Sequence, residues 1–228
     1  MRRLAVRGRV LKRTVLQLEG IVKSWDGRPV LESVDALVES GTTVAISGAN
    51  GAGKTTLLRI AGGLISPESG RVSADGYEPE GQRTEFQRRI GFLAAGNTGL
   101  YARLKADHHF EFWARLALMP RREHGPAIAR AIETFGLEEL RDRRVDRLSM
   151  GQRQRLRLAL AFLHEPSVVL LDEPATSLDG EGIAALQAGL EQLTARGGAA
   201  VVCLPSGWDD VLSVDRRLVL ESGRLVPA

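Results

Sequence analysis

Gly48-Ala49-Asn50-Gly51-Ala52-Gly53-Lys54-Thr55 is the stretch that most narrows what this chain can fold into, because it matches GxxxxGK[ST]. A strand-like apolar run at residues 43–46 precedes it, and a helical pattern over Lys54–Ala61 follows. A glycine-rich turn between a buried strand and a helix can aim several backbone N–H groups into one hollow. Glycines let those groups approach an anion without a Cβ in the way. The helix N-terminus adds its own partial positive charge. In such a cradle Lys54 reaches the β and γ phosphates of a nucleotide, and the Thr55 hydroxyl is a ligand for Mg2+. Gly48, Asn50, Gly51, Ala52, Gly53, Lys54, Thr55 and Thr56 are therefore the candidate nucleotide-binding residues. A ligand-free glycine turn would not need both flanking elements.

The rest of the chain suits an α/β fold. Further strand-like runs fall at residues 15–18, Ile90–Leu93, 168–171, 199–204 and 217–220, with helical patterns at 151–163 and Gly180–Ala195. Several runs are continuously apolar rather than alternating, as expected of strands buried on both faces of a parallel sheet. Between about residues 96 and 147 the texture changes. Residues 107–118 and 126–135 read as helices, broken by Pro120 and Gly125, and no β-branched strand intervenes. This predicts a helical insertion. With 228 residues, 43% of them hydrophobic, one domain with a grafted subdomain can bury its own core.

Other bulk features exclude little. The net charge of +3 selects no class of partner. Cys203 is the lone cysteine, so no internal disulfide forms. No run approaches the ~18 apolar residues of a spanning helix, so any work at a membrane needs another polypeptide to cross it. Arg2, Arg3, Arg7, Arg9, Lys12 and Arg13 make residues 1–14 a basic extension. It reads either as a loose tail or as a segment touching anionic lipid.

A second motif complements the first. Residues 168–171 form a buried strand ending in Asp172-Glu173-Pro174. Ligands of open α/β sheets gather at the carboxyl ends of strands. There Asp172 is placed to hold Mg2+ and Glu173 to orient and deprotonate an attacking water. Glu173 and Lys54 are the candidate catalytic residues.

Leu148-Ser149-Met150-Gly151-Gln152 opens a helix about twenty residues before Asp172. It resembles the signature motif of ABC transporter ATP-binding subunits, usually LSGGQ, with Met150 replacing a glycine. Arg153-Gln154-Arg155-Leu156 and the later Ser177-Leu178-Asp179, similar to the family's D-loop, extend the likeness over residues 15–226. The resemblance implies a RecA-like P-loop NTPase core with a small antiparallel β subdomain and an inserted helical subdomain. Residues 15–95 and 165–228 would form the core and 96–164 the helical subdomain. It also implies two such subunits, identical or not, packed head to tail, each ATP lying between one phosphate loop and the other subunit's Ser149, Gly151 and Gln152. Ser149 and the N–H groups of Gly151 and Gln152 do open a second helix N-terminus able to meet a phosphate. Trp25 stands where the family places an aromatic that stacks on adenine, although a core or surface tryptophan would look the same. The resemblance further implies separate transmembrane permease partners, the cytoplasmic membrane face as location, and no nucleic acid partner. Residues 99–104 and 141–147 look like the export branch.

Two further residues depart from the family pattern. Ala95 stands where a glutamine normally reaches Mg2+ and the attacking water, with Asn97 the nearest amide. Ser206 stands where a histidine normally contacts the γ-phosphate. None of His108, His109, His124 or His164 falls where it could replace that histidine, and all four read as surface or packing residues. Losing one preorganised contact of this kind commonly costs ~10²-fold in rate, so the expectation is firm ATP binding with slow unaided hydrolysis. A soluble assembly ATPase and a weakened regulatory subunit are the alternatives.

Overall fold

The computed structural model describes residues 13–205, 207–208 and 210–228. Residues 1–12 of the basic extension and Ser206 lie outside the described residues, and Thr14, the last residue assigned to the extension, opens the first strand. Two sheets organise the fold. The first is antiparallel and comprises β1 (Thr14–Trp25), β2 (Arg28–Glu39) and β4 (Ser69–Ala74) in the order β2-β1-β4. The second comprises β3 (Thr42–Ser47), β5 (Ile90–Leu93), β6 (Val168–Asp172), β7 (Ala199–Cys203), β8 (Arg216–Glu221) and β9 (Arg224–Pro227). Its order is β5-β6-β7-β3-β8-β9, parallel except for the antiparallel β8-β9 pair.

Successive side chains of a strand point to opposite faces, and here the two faces feed different cores. Val168 and Leu170 of β6, Ala199 and Val201 of β7, and Val44 and Ile46 of β3 join the antiparallel sheet and α1 (Lys54–Ala61). Val169, Leu171, Ala200 and Val202 face the other way, into a core shared with the helices. Those helices are α3 (Ala106–Leu116), α4 (Arg121–Phe135), α5 (Met150–Phe162) and α6 (Gly180–Ala195); a shorter helix, α2 (Arg83–Arg89), leads into β5. Every residue of β6 and of β7 is buried, which explains their unbroken apolar sequence. Phe135 of α4 and Phe162 of α5 meet with ring centroids 5.4 Å apart and weld the inserted helices together.

One expected break is absent. Gly125 and Pro126 sit inside α4, which begins directly after Pro120. Pro126 forfeits one i→i−4 bond early in the helix. The face formed by Ala127, Ile128, Ala131, Ile132 and Phe135 is buried, and that packing outweighs the local breaker. Strands β2, β4 and β9 and helix α2 add elements to those read from the residues.

His109 and His124 of the insert and His164 of the α5–β6 connection are structural, while His108 is exposed. His109 is fully buried: Nδ1 lies 2.9 Å from the Lys105 carbonyl, and Nε2 accepts from the Tyr101 N–H at 2.9 Å. His124 Nε2 lies 3.1 Å from the Met119 carbonyl. His164 Nε2 lies 3.1 Å from the Ile90 carbonyl, and burial lowers its pKa from 6.5 to about 4. The unfolded chain therefore takes up this proton near pH 6.5 while the folded chain resists until about pH 4. The associated stability is complete above pH 6.5 and is lost progressively as pH falls toward 4. At pH 5 the loss amounts to about 2 kcal/mol. His164→Gln should flatten the decline of the urea midpoint between pH 7 and pH 5; parallel curves for the two proteins would refute this assignment.

Candidate functional site

The carboxyl edge of the parallel sheet gathers the chemistry-bearing residues. β3 runs into the phosphate loop and β6 runs into the acidic pair, with β7 between them. At Gly48 the backbone turns with φ 147°, and an added Cβ would stand 2.5 Å from the Leu220 carbonyl oxygen. Only glycine fits there. Gly53, with φ 105°, caps α1 without a side-chain bond, so the first-turn amides keep no competing side-chain acceptor from that residue. Asn50 and Gly51 form the exposed tip, and Ala52 donates back to the Ala49 carbonyl at 3.1 Å.

Lys54 is only 6% exposed, and its Nζ donates to the carbonyls of Gly48 at 2.6 Å and Ala49 at 3.1 Å. The ammonium is thus held inside the curl of the loop, where a phosphate would meet it. Thr55 Oγ1 donates to Asp172 Oδ2 at 2.8 Å across 117 residues of sequence. The Asp172 side chain is buried at 2% exposure. A hydroxyl and a carboxylate so joined are hard oxygen donors, and Mg2+ is commonly held by one or two such protein groups together with water and phosphate oxygens. The pair fits that ion. Cys203 lies beneath them at the end of β7, with Sγ 3.9 Å from the Lys54 carbonyl. Burial raises its thiol pKa, and the Asp172 carboxylate pushes it the same way, so it stays a neutral packing group.

Glu173 leaves the strand in the left-handed region, φ 50°, its N–H donating to the Cys203 carbonyl at 3.0 Å. A non-glycine residue held there is strained. The twist swings the Glu173 side chain away from the buried strand direction, and the residue is half-buried. Trp25 ends β1 at a hairpin whose Asp26 and Gly27 both have positive φ, the geometry of a type I′ turn. The indole is 48% exposed, and its Nε1 donates to Thr56 Oγ1 at 3.5 Å. Lys23 Nζ stands 4.7 Å from its ring centroid. The turn therefore sets an exposed aromatic face beside the first turn of α1.

Ser149 caps α5 in a reciprocal box: its Oγ accepts from Gln152 N–H at 3.2 Å, and Gln152 Oε1 accepts from Ser149 N–H at 3.0 Å. The Gln152 amide is thereby engaged within the chain. The Ser149 hydroxyl can still donate outward, and the Met150 and Gly151 amides complete the helix N-terminus. Met150 is 56% exposed. Gly151 answers a packing demand: a Cβ there would lie 2.9 Å from the Ser177 carbonyl oxygen. Ser177 itself has φ 68°, so the turn after the acidic pair presses directly on the start of α5. Asp179 then caps α6 by accepting from Gly182 N–H at 2.8 Å. Ala95 is half-buried and Asn97 exposed.

Arg157 escapes a motif reading, and Gln154, which belongs to the quoted sequel of the signature, carries no role there. Both are buried on α5, linked to each other and to the loops on either side. The available signal was an arginine set in an otherwise apolar run, Leu156-Arg157-Leu158-Ala159. A larger cleft of about 440 Å³, bordered by Arg88, Met119, Arg130 and His164, shares no residue with the phosphate loop or the acidic pair.

Residues 31–176 match the ABC transporter family. ABC transporter ATP-binding protein NatA of Bacillus subtilis (strain 168) is 39% identical over 149 residues, 65% of this chain and 61% of that protein. The chain thus spans about three fifths of that relative's length. Nickel import ATP-binding protein NikO of Rhodobacter capsulatus is 34% identical, covering 93% of this chain and 87% of the relative. Among solved structures, an ATP-binding cassette caught as a dimer in a post-hydrolysis state with ADP and Pi superposes with a TM-score of 0.81 at 25% identity, over 92% of this chain and 96% of that one.

The cap at Ser149 carries its own stability. Replacing an N-cap serine by alanine costs about 1 kcal/mol, so Ser149→Ala should lower the urea midpoint with an unchanged m-value. An unaltered midpoint would show that the box contributes nothing.

Proposed function

The chain belongs to the ABC transporter family as an ATP-binding member, and on that premise we propose that it binds and hydrolyses ATP to power a membrane exporter. The observation that carries this reading is the Thr55–Asp172 contact at the mouth of the phosphate loop, with Glu173 next in sequence. It sets Lys54, Thr55, Asp172 and Glu173 at one sheet edge, which supports reading them as a phosphate cradle, a site for Mg2+ and a general base. Residues 15–95 and 165–228 serve as the ATP-binding core and 96–164 as the helical subdomain, with 1–14 as an extension.

In this reading the loop amides and Lys54 hold the β and γ phosphates of ATP, and the Trp25 indole offers its face to the adenine. Thr55 and Asp172 hold Mg2+, which supplies charge neutralisation for the transferring phosphoryl group. Glu173 accepts a proton from the water that attacks the γ-phosphorus. The new P–O bond forms as the bond to the β-phosphate oxygen breaks, leaving ADP and phosphate. Two subunits, alike or not, close head to tail so that Ser149 and the Met150 and Gly151 amides of one subunit face the γ-phosphate held by the other.

Among the described residues no helix is long and apolar enough to cross a membrane. The membrane-spanning work therefore falls in this reading to separate permease subunits, with this chain at the cytoplasmic face and no nucleic acid involved. Tyr101, Phe112, Leu116 and Leu118 are exposed together on and beside α3, and such a patch suits a protein partner. Export is favoured by the likeness of residues 99–104 and 141–147 to that branch, although NikO is named for import. Ala95, a side chain without polar atoms, favours a second reading of weakened unaided turnover that a partner accelerates.

Lys54→Ala should weaken ATP binding by about 100-fold or more, since it removes the charge-assisted bonds to phosphate; retained binding in a fluorescent-nucleotide titration would overturn the cradle assignment. Glu173→Gln should keep ATP binding and accumulate an ATP-dependent dimer on size exclusion. A monomer at saturating ATP would count against head-to-tail closure. Copurification with a soluble scaffold in place of a multi-span membrane protein would refute transport.

A further inference from the structure

Arg157 of α5 is 6% exposed, and among the described residues it has no carboxylate in reach. Its guanidinium instead serves three neutral acceptors. Nε donates to the Thr98 carbonyl at 2.9 Å, one terminal nitrogen to the Ala94 carbonyl, and the other to Gln154 Oε1 at 2.7 Å. Gln154, also buried, passes the connection on: its Nε2 donates to the Pro174 carbonyl at 2.8 Å. Pro174 directly follows Glu173. A continuous polar bridge thus runs from the loop after β5, through α5, to the turn that carries the general base.

A buried charge with only carbonyl and amide partners is costly, and an apolar side chain of similar volume would pack there at less expense. What the guanidinium offers instead is geometry. Its planar fork fixes three acceptors at once. The loop it fixes is the one where Ala95 brings no polar side chain toward the phosphate site. Three residues beyond Thr98, His109 Nε2 takes the Tyr101 N–H, so residues 94–101 are held by α5 at one end and α3 at the other. Tyr101 then opens onto the exposed aromatic patch, packed edge-on against Phe112 with centroids 5.8 Å apart.

We propose that Arg157 is a positioning residue for hydrolysis: with Gln154 it fixes the distance between residues 94–98 and the Glu173 turn, and it carries displacement of that loop to the general base. The proposal rests on the ATPase reading above. The coupling runs through backbone carbonyls, so it works without a polar side chain at position 95. Because the guanidinium cannot serve Ala94, Thr98 and Gln154 from two positions, a shift of the loop either breaks the fork or moves Gln154 with it. Pro174 follows.

Three variants of the full chain test the bridge. Gln154→Glu keeps an acceptor for Arg157 and gives it a countercharge, but replaces the donor to Pro174 with a second acceptor, cutting only the last link. Arg157→Met removes the fork while keeping volume. Arg157→Lys keeps the charge and part of the donor set. Single-turnover release of labelled phosphate from γ-labelled ATP, with protein in excess, should slow about 10- to 100-fold in Gln154→Glu and Arg157→Met, the range expected of a misplaced catalytic group. The ATP Kd should stay within about twofold, because the cradle is untouched. Gln154→Glu should unfold at no lower temperature than the unsubstituted chain, and Arg157→Lys should recover part of the rate. Unsubstituted rates in Gln154→Glu and Arg157→Met overturn the proposal, as does a loss that merely tracks the fraction unfolded and is not relieved in Arg157→Lys. Should the unsubstituted chain bind ATP yet release no phosphate, the ATPase reading fails, and hydrogen exchange judges the bridge. ATP should then alter protection of residues 94–104 in the unsubstituted chain and leave it unaltered in Gln154→Glu; equal responses overturn it.

Discussion

Burial of β6 on both faces is the constraint from which the site follows. A strand with Val168, Val169, Leu170 and Leu171 all inaccessible has no room for a polar side chain until it ends. Its neighbour β7 is buried to the same degree, so β3 and β6 can communicate only at their carboxyl edge. That is where Thr55 reaches Asp172. The opposite faces of these strands anchor two cores of different kinds, one with the antiparallel sheet and one with the inserted helices. Packing on both sides therefore sets the distance between the phosphate loop and the acidic pair, and the polar contact reads out a geometry already fixed by apolar burial.

Local backbone strain does the final aiming. Gly48 turns where the Leu220 carbonyl leaves no space for a Cβ, and Glu173 is held at φ 50° immediately after the last strand residue. Such conformations persist only where surrounding structure over-determines them. At Glu173 the over-determination comes from the N–H bond to Cys203 on β7 and from Gln154, which grips the next residue's carbonyl. The strain and the α5 bridge thus act on the same turn. Ser177, also at positive φ, continues the pattern and brings that turn against Gly151.

Legibility in the sequence followed the number of residues that each feature uses consecutively. The phosphate loop, the acidic pair and the helix cap at Ser149 are each carried by a handful of adjacent residues, and strands buried on both faces betray themselves by unbroken apolar runs. The bounds of α1 and α6 coincide with their helical patterns, because Gly53 and Asp179 punctuate them locally. The antiparallel sheet was harder to read. β2 alternates apolar with charged residues and carries Pro29 and a positive φ at Ser33, so its pattern is weak and only pairing with β1 defines it. The sequence of α4 reads as broken at Gly125 because the buried face that stabilises the helix lies further along it. Arg157 escaped because its partners stand 59 and 63 residues away and are backbone carbonyls, which leave no mark in a sequence.

The cap at Ser149 poses a physical conflict that a static monomer resolves one way. A helix N-terminus offers a limited set of orphan amides, and here the box spends the Gln152 amide on Ser149 Oγ while Gln152 Oε1 occupies the Ser149 amide. An anion brought to this end meets the Met150 and Gly151 amides, the Ser149 hydroxyl and the partial charge of the helix. The hydroxyl accepts from the Gln152 N–H and keeps its own proton for an outside acceptor, which alanine cannot do and which a carboxylate cap would oppose by charge. Serine at this position therefore combines a helix cap with a hydroxyl proton left for an outside acceptor. At Gly151 the Ser177 turn leaves no space for a Cβ, so the turn after the acidic pair packs directly against the start of α5. The start of α5 and the Glu173 turn are thus joined by two contacts, Gly151 against Ser177 and the Gln154–Pro174 bond.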